Sequence, residues 1–218
     1  MTARALVAEA LGTLLLVTAV IGSAIMAGRL TQDGGVLLLA NALATGAALM
    51  VLITVFAPLS GAQFNPAVSL VLALRREITW PAFAALVLIQ CLGGIAGTLL
   101  AHAMFDLPLW QTSTHIRSGT GQYLAEGVAT FGLILTILGG RHAKANIAPL
   151  VAAYITAAYW FTASTSFANP VMALARALTD TPSGIRPADA PAFMVAEVAG
   201  AVLAMILAGW LFRDPDQA

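Results

Sequence analysis

Gly61-Ala62-Gln63-Phe64-Asn65-Pro66-Ala67-Val68 runs on through Ser69-Leu70-Val71-Leu72-Ala73-Leu74 before reaching Arg75 and Arg76. Asn is a good helix N-cap, and Pro suits the first helical position because its missing N–H would be unpaired there. A segment of about ten residues, at 1.5 Å each, is about 15 Å long, half the hydrocarbon thickness of a bilayer. Ser166-Phe167-Ala168-Asn169-Pro170-Val171 repeats the pattern and continues as Met172-Ala173-Leu174-Ala175-Arg176. Both segments are too apolar for a loop and too short for a span. Each reads as a half-helix that starts near the bilayer midplane, one entering from each side. Irregular backbone at that depth persists only where protein buries it or where it lines a watery cavity.

The rest of the chain supplies a membrane setting. Of 218 residues, 60% are hydrophobic and 9% charged, against about 25% charge in a soluble domain. The formal net charge is zero, which gives no footing for a nucleic-acid partner. Charge-poor runs at about 5–28, 35–57, 80–105, 121–140, 146–164 and 191–212 predict six transmembrane helices. The first resembles a signal peptide at Arg4, but it extends to Gly28 and contains Glu9, so it is read as a span. Cys91 is the only cysteine; it sits in an apolar run and reads as a small buried hydrophobe.

The two halves echo each other. Ala8-Glu9 with Thr13 matches Ala125-Glu126 with Thr130, and each half carries its Asn-Pro segment after its second span. Three spans per half force the second half into the membrane upside down, the mark of an inverted repeat with its working elements at midplane. The expected organisation is one transmembrane channel domain over 1–218, with repeat one at about 1–110 and repeat two at about 118–218. With both termini inside, cytoplasmic segments hold six Arg or Lys residues against four outside, as the positive-inside rule favours. Two helix N-termini facing each other at midplane repel cations and act little on neutral solutes.

These residues resemble the aquaporin or major intrinsic protein family, from Ala8-Glu9 through Asn65-Pro66-Ala67 and Asn169-Pro170-Val171 to Ala196-Glu197-Val198-Ala199-Gly200. The resemblance implies an all-α membrane protein of six transmembrane helices and two re-entrant half-helices. It also implies Asn65 and Asn169 amide donors facing a pore, and a homotetramer with one pore per subunit. The family filter falls by counting on Thr45, Ala157, Ser166 and Met172. Relatives usually have arginine at the last of these, and water-selective ones an aromatic ring and a histidine at the first two. A wider, less polar constriction is therefore expected. Gln63 stands where many relatives have histidine, and Val171 where alanine is usual, adding bulk beside the pore.

Arg176 is placed either at the outer mouth or, slightly favoured, on the outer surface paired with Asp180. The filter resembles that of bacterial members associated with arsenic resistance, which implies passage of metalloid hydroxides such as arsenous acid besides glycerol-like polyols and water. Glu9 and Glu126 are expected to accept hydrogen bonds from loop backbone near the half-helices; Glu197 has no motif to assign it. The inner membrane is the expected location.

Intramembrane acids also fit a rival class, a proton-coupled transporter of a small solute. A coupled carrier normally needs an ion site beside its substrate site, whereas the pore-facing groups assigned here are neutral. Catalysis ranks third: His102, His115 and His142 are scattered, no spacing suits a metal or a nucleophile, and no cofactor is expected. Gly93 with Gly97, and Gly200 with Ala204 and Ala208, form small-residue stripes that suit close helix packing within or between protomers. Tyr159, Trp160 and Phe161 read as an interfacial belt, with a pore-wall role for one of them as the sharper alternative.

Overall fold

Each helix begins where the sequence supplies a cap. Thr2, Asp33, Thr79 and Asn146 each accept a hydrogen bond from a first-turn amide, opening α1 (Ala3–Leu30), α2 (Gly34–Ser60), α4 (Trp80–Met104) and α6 (Ile147–Phe161). The Asn-Pro pairs open the half-helices α3 (Pro66–Leu74) and α7 (Pro170–Arg176), and the remaining spans are α5 (Thr120–His142) and α8 (Ala190–Leu211). The computed structural model describes residues 1–213. All of its regular elements there are helices, five of them long and apolar enough to cross a membrane. The sixth span, α6, has only 15 residues, about 22 Å. Residues 162–168 then carry the chain on, without helix, to Asn169.

Within the first half α1 packs on α2 and α4; within the second α5 packs on α6 and α8. The α2–α6 contact joins the halves, and each half-helix touches both α4 and α8 as well as the other half-helix. The packing inverts that of a soluble protein. Val7, Leu11 and Leu15 make an exposed stripe along one face of α1 while Glu9 and Thr13 are fully buried. Without a hydrophobic force between helices in lipid, close backbone approach matters most.

The small-residue stripes serve this approach inside the protomer. A β-carbon at Gly97 would stand 2.4 Å from the Leu14 carbonyl oxygen of α1, and one at Gly200 would stand 2.1 Å from that of Gly127 on α5. Backbone cannot yield as a flexible side chain can. Gly200→Val should therefore lower the detergent melting temperature, at an overpacking cost of about 1–3 kcal/mol. Gly209→Val should leave it unchanged, since nothing lies within 4 Å of that position. Equal melting of the two variants would show that this contact does not hold the bundle.

Candidate functional site: the cavity between the half-helices

The two half-helices are fastened to each other by their capping residues. Asn65 Oδ1 accepts from the Ala67 amide at 2.9 Å, and Asn169 Oδ1 from the Val171 amide at 3.0 Å. The remaining end of each amide crosses to the other half. Asn65 Nδ2 donates to the Ala168 carbonyl at 2.7 Å, and Asn169 Nδ2 to the Phe64 carbonyl at 2.8 Å. The expectation that both amides face the pore freely is thus corrected. Each –NH₂ has two hydrogens; one closes the clasp, and one is left for the cavity that both asparagines border.

Phe64 and Ala168, immediately before the asparagines, sit in the left-handed region at φ 50° each, which costs a non-glycine residue about 1–2 kcal/mol. Buried carboxylates hold them there. Glu9 accepts from the amides of Gln63 and Phe64 at 2.8 Å each, from Ser60 Oγ at 2.8 Å and from Gln90 Nε2 at 3.0 Å. Glu126 accepts from the amides of Phe167 and Ala168 at 2.9 and 2.8 Å. Both acids are fully buried. Their oxygens are committed to loop backbone and, for Glu9, to Ser60 and Gln90 as well, and neither acid borders the cavity, which takes both out of the proton-coupled alternative. Gly12 makes room for this frame: a β-carbon there would stand 2.0 Å from the Phe64 ring.

Between the halves lies a cavity of about 270 Å³, bordered from Arg141 and Ile147 at one end to Tyr159 and Arg176 at the other. Its walls are chemically two-sided. Leu16, Val20, Leu49, Ile53, Leu133 and Ile155 give hydrocarbon. The loops 61–65 and 166–169, with Gln63, Ser166 and the two asparagines, give a polar stripe. Ser166 Oγ and Gln63 Oε1 are buried without a protein hydrogen-bond partner, so each can serve a solute. At the Arg141 end, Arg141 and Arg75 both pair with Glu77 at 2.7 Å. Burial pushes the Glu77 carboxyl up, but the two guanidinium hydrogen bonds outweigh it and hold it below the usual carboxylate range.

At the other end the structure brings Thr45, Ser166, Met172 and Arg176 to the cavity but not Ala157. Ala157 is exposed on the far side of α6; the cavity face of that helix is Val151, Ile155 and Tyr159. Two residues of error turn a helix by about 200°, and α6 has no internal motif from which to count. Tyr159 thus puts a ring where an alanine was expected, and its hydroxyl shares a 3.1 Å hydrogen bond with Thr45 Oγ1.

Of the two placements for Arg176, the surface pairing with Asp180 is corrected, while the residue does border the cavity. It is 2% exposed, not at the surface; its Nε donates to the Ser183 carbonyl, and its guanidinium lies 3.4 Å from the Phe167 ring centre. Asp180 instead accepts from Thr114 at 2.8 and 2.9 Å. Val171 is fully buried, off the cavity wall, facing Gly94 of α4, where a β-carbon would stand 2.5 Å from it. Its extra bulk is taken up by that glycine. Ala67 is fully buried beside the cap, while Pro66 and Pro170 hold the first helical positions.

Two residues of this end had no motif to mark them. Arg117, from the loop before α5, donates to the carbonyls of Gly184, Ser164 and Pro182 at 2.7, 3.3 and 3.4 Å and lies over Phe167 at 5.4 Å. Burial lowers its basicity, with partial compensation from Glu126. His102 is fully buried and ties α4 to Leu109 and Thr179 through both ring nitrogens, at 2.8 and 2.7 Å.

Six membrane helices, two capped half-helices clasped between them and a cavity along their loops define a membrane channel. The family model of the major intrinsic protein matches residues 1–180, and the chain belongs to that family. It is 59% identical to aquaglyceroporin AqpS of Rhizobium meliloti (strain 1021) over 211 residues, 96% of this chain and 91% of that protein. It is 32% identical over 149 residues to the probable aquaporin PIP2-8 of Oryza sativa subsp. japonica, covering 65% of this chain and 53% of the other. The X-ray structure of the aquaglyceroporin from Plasmodium falciparum superposes with a TM-score of 0.75 at 23% identity, over 96% of this chain and 95% of that one, and shows the same fold. The protein is a multi-pass passive channel for water and small solutes, not an enzyme.

Proposed function

We propose that the channel conducts glycerol-like polyols and metalloid hydroxides such as arsenous acid as well as water. The two-sided cavity wall carries this reading. A polyol presents hydroxyls on one side and C–H on the other, and here a polar stripe of loop backbone, Ser166 and the asparagine amides faces hydrocarbon. Water has no apolar side for that hydrocarbon to match. Met172, at the position where the family resemblance puts arginine, adds a flexible apolar wall beside it. The name of the 59% identical relative, an aquaglyceroporin, supports the same class of solute. In this reading Thr45, Tyr159, Ser166, Met172 and Arg176 set the filter. Arg176 contributes its charge one turn beyond the family position, held against the face of the Phe167 ring.

The protein works in the inner membrane as a homotetramer with one pore per subunit and its N-terminus inside. Stopped-flow permeability of proteoliposomes to water, glycerol and arsenous acid, with and without a proton gradient, tests the substrate reading. Fast entry of both solutes that ignores the gradient is expected. Fast water without solute entry would reduce the protein to a water channel and remove the filter assignment.

A further inference from the structure

The two halves share one frame around their buried acids and differ there at two positions that change its chemistry. Gly93 of α4 packs on the Ala10 carbonyl of α1, and Gly200 of α8 packs on the Gly127 carbonyl of α5. Ala10 follows Glu9 as Gly127 follows Glu126. Three residues before each glycine therefore stand equivalent side chains, Gln90 and Glu197. Both are fully buried. Gln90 spends its two amide hydrogens on Glu9 Oε2 and on Ser69 Oγ, at 3.0 Å each. Ser69 lies four residues after Asn65; the position four after Asn169 is Ala173, which has nothing to accept with.

Repeat two thus offers one acceptor, the Glu126 carboxylate, where repeat one offers two. A protonated carboxyl has one O–H to give, while an ionised one has none. Glu197 lies beside Glu126 and near the Asn169 backbone N–H, but no protein donor completes a hydrogen bond to either of its oxygens. We infer that Glu197 is a neutral carboxylic acid whose O–H donates to the Glu126 carboxylate, as the Gln90 amide donates to Glu9. The proton lies between the two acids and completes the frame that holds Phe167 and Ala168 along the cavity. Glu197 is a positioning residue, acting through Glu126 and never touching the solute.

The surrounding charges are consistent with one proton on the pair. Burying a second anion against the first needs a paired cation. α7 contributes Arg176, whose Nε donates to Ser183 and whose plane lies on Phe167; its charge reaches Glu197, Glu126 and Tyr159 alike without pairing with one of them. The loop before α5 contributes Arg117, which spends its guanidinium on three carbonyls. Neither makes a salt bridge to Glu197 among the described residues, α3 carries no titratable group, and Tyr159 of α6 faces Glu126. A carboxylic acid kept neutral in an apolar site so that it can donate is a known device of buried sites.

The test uses the full-length channel at neutral pH. Infrared difference spectra between wild type and Glu197→Gln should show a carboxylic-acid carbonyl band in wild type only. Glu197→Gln should keep wild-type glycerol flux, whereas Glu197→Ala should lose it. The glutamine variant has one N–H too many, so it should melt below wild type, and adding Ala173→Ser should restore the melting temperature by recreating the repeat-one pattern. Absence of the band in wild type, or a glutamine variant as impaired as the alanine one, would overturn the assignment. The spectroscopic arm reads the proton directly, whatever solutes the channel conducts.

Discussion

An Asn65→Asp channel is expected to lose at least about tenfold in both water and glycerol flux while still assembling. Asn65 Oδ1 caps α3 through the Ala67 amide, and an aspartate can do the same. What it cannot do is donate to the Ala168 carbonyl, which now lies 2.7 Å from Nδ2. A carboxylate oxygen there would oppose a carbonyl oxygen. The loss of one buried hydrogen bond with its acceptor left unmade costs about 1–3 kcal/mol, more when a charge is involved. Since 1.4 kcal/mol is a factor of ten, the drop follows if the strain falls on the conducting state. The substitution also sets an anion against the cavity where a neutral donor stood. Flux in reconstituted vesicles, normalised to channel content, is the measurement; unchanged flux would remove Asn65 from the conduction path.

Met172→Arg carries the second large effect. Met172 is 5% exposed and borders the cavity one turn before Arg176. A guanidinium there would project a long charged side chain into a space shared with Tyr159 and Arg176, and like charges four residues apart on a helix repel. Glycerol and arsenous acid flux should fall about tenfold, equivalent to about 1.4 kcal/mol of added barrier, with water flux falling much less. The ratio of glycerol to water permeability in one preparation checks this without reference to expression level. An equal fall in both would place Met172 outside the selective part of the pore.

The membrane class and both half-helices were legible because they depend on local rules. An apolar run of given length spans or fails to span, and Asn-Pro before such a run starts a helix wherever it lies. The six predicted spans fall within about three residues of the observed helices at every end; at the C-terminal end of α6 the chain leaves the helix at Phe161 while the apolar stretch continues as loop. Hydropathy cannot tell an apolar helix from an apolar loop when the loop's backbone is satisfied by a buried acid.

The site was legible to the extent that motifs fixed it. The filter positions Thr45, Ser166 and Met172, counted from the motifs, reached the cavity; Ala157, counted through a helix with no anchor, fell on the opposite face from Tyr159. Arg176 and Arg117 were unreadable for another reason. Their partners are backbone carbonyls of Ser183, Gly184, Ser164 and Pro182, and every residue type offers the same carbonyl. Sequence pairing rules look for Asp180 and miss them.

The Asn clasp has a consequence for how the chain is made. Asn65 and Ala168 are 103 residues apart, and Asn169 and Phe64 are 105 apart. At about 5–20 residues per second, a ribosome takes roughly 5–20 s to deliver the second partner after the first has emerged. During that interval the partners that Asn65 and Phe64 have in the folded protein do not yet exist. Assembly of the first half is therefore completed by the last third of the nascent chain, and a ribosome stalled after α5 would leave a half-channel whose midplane loop stays open.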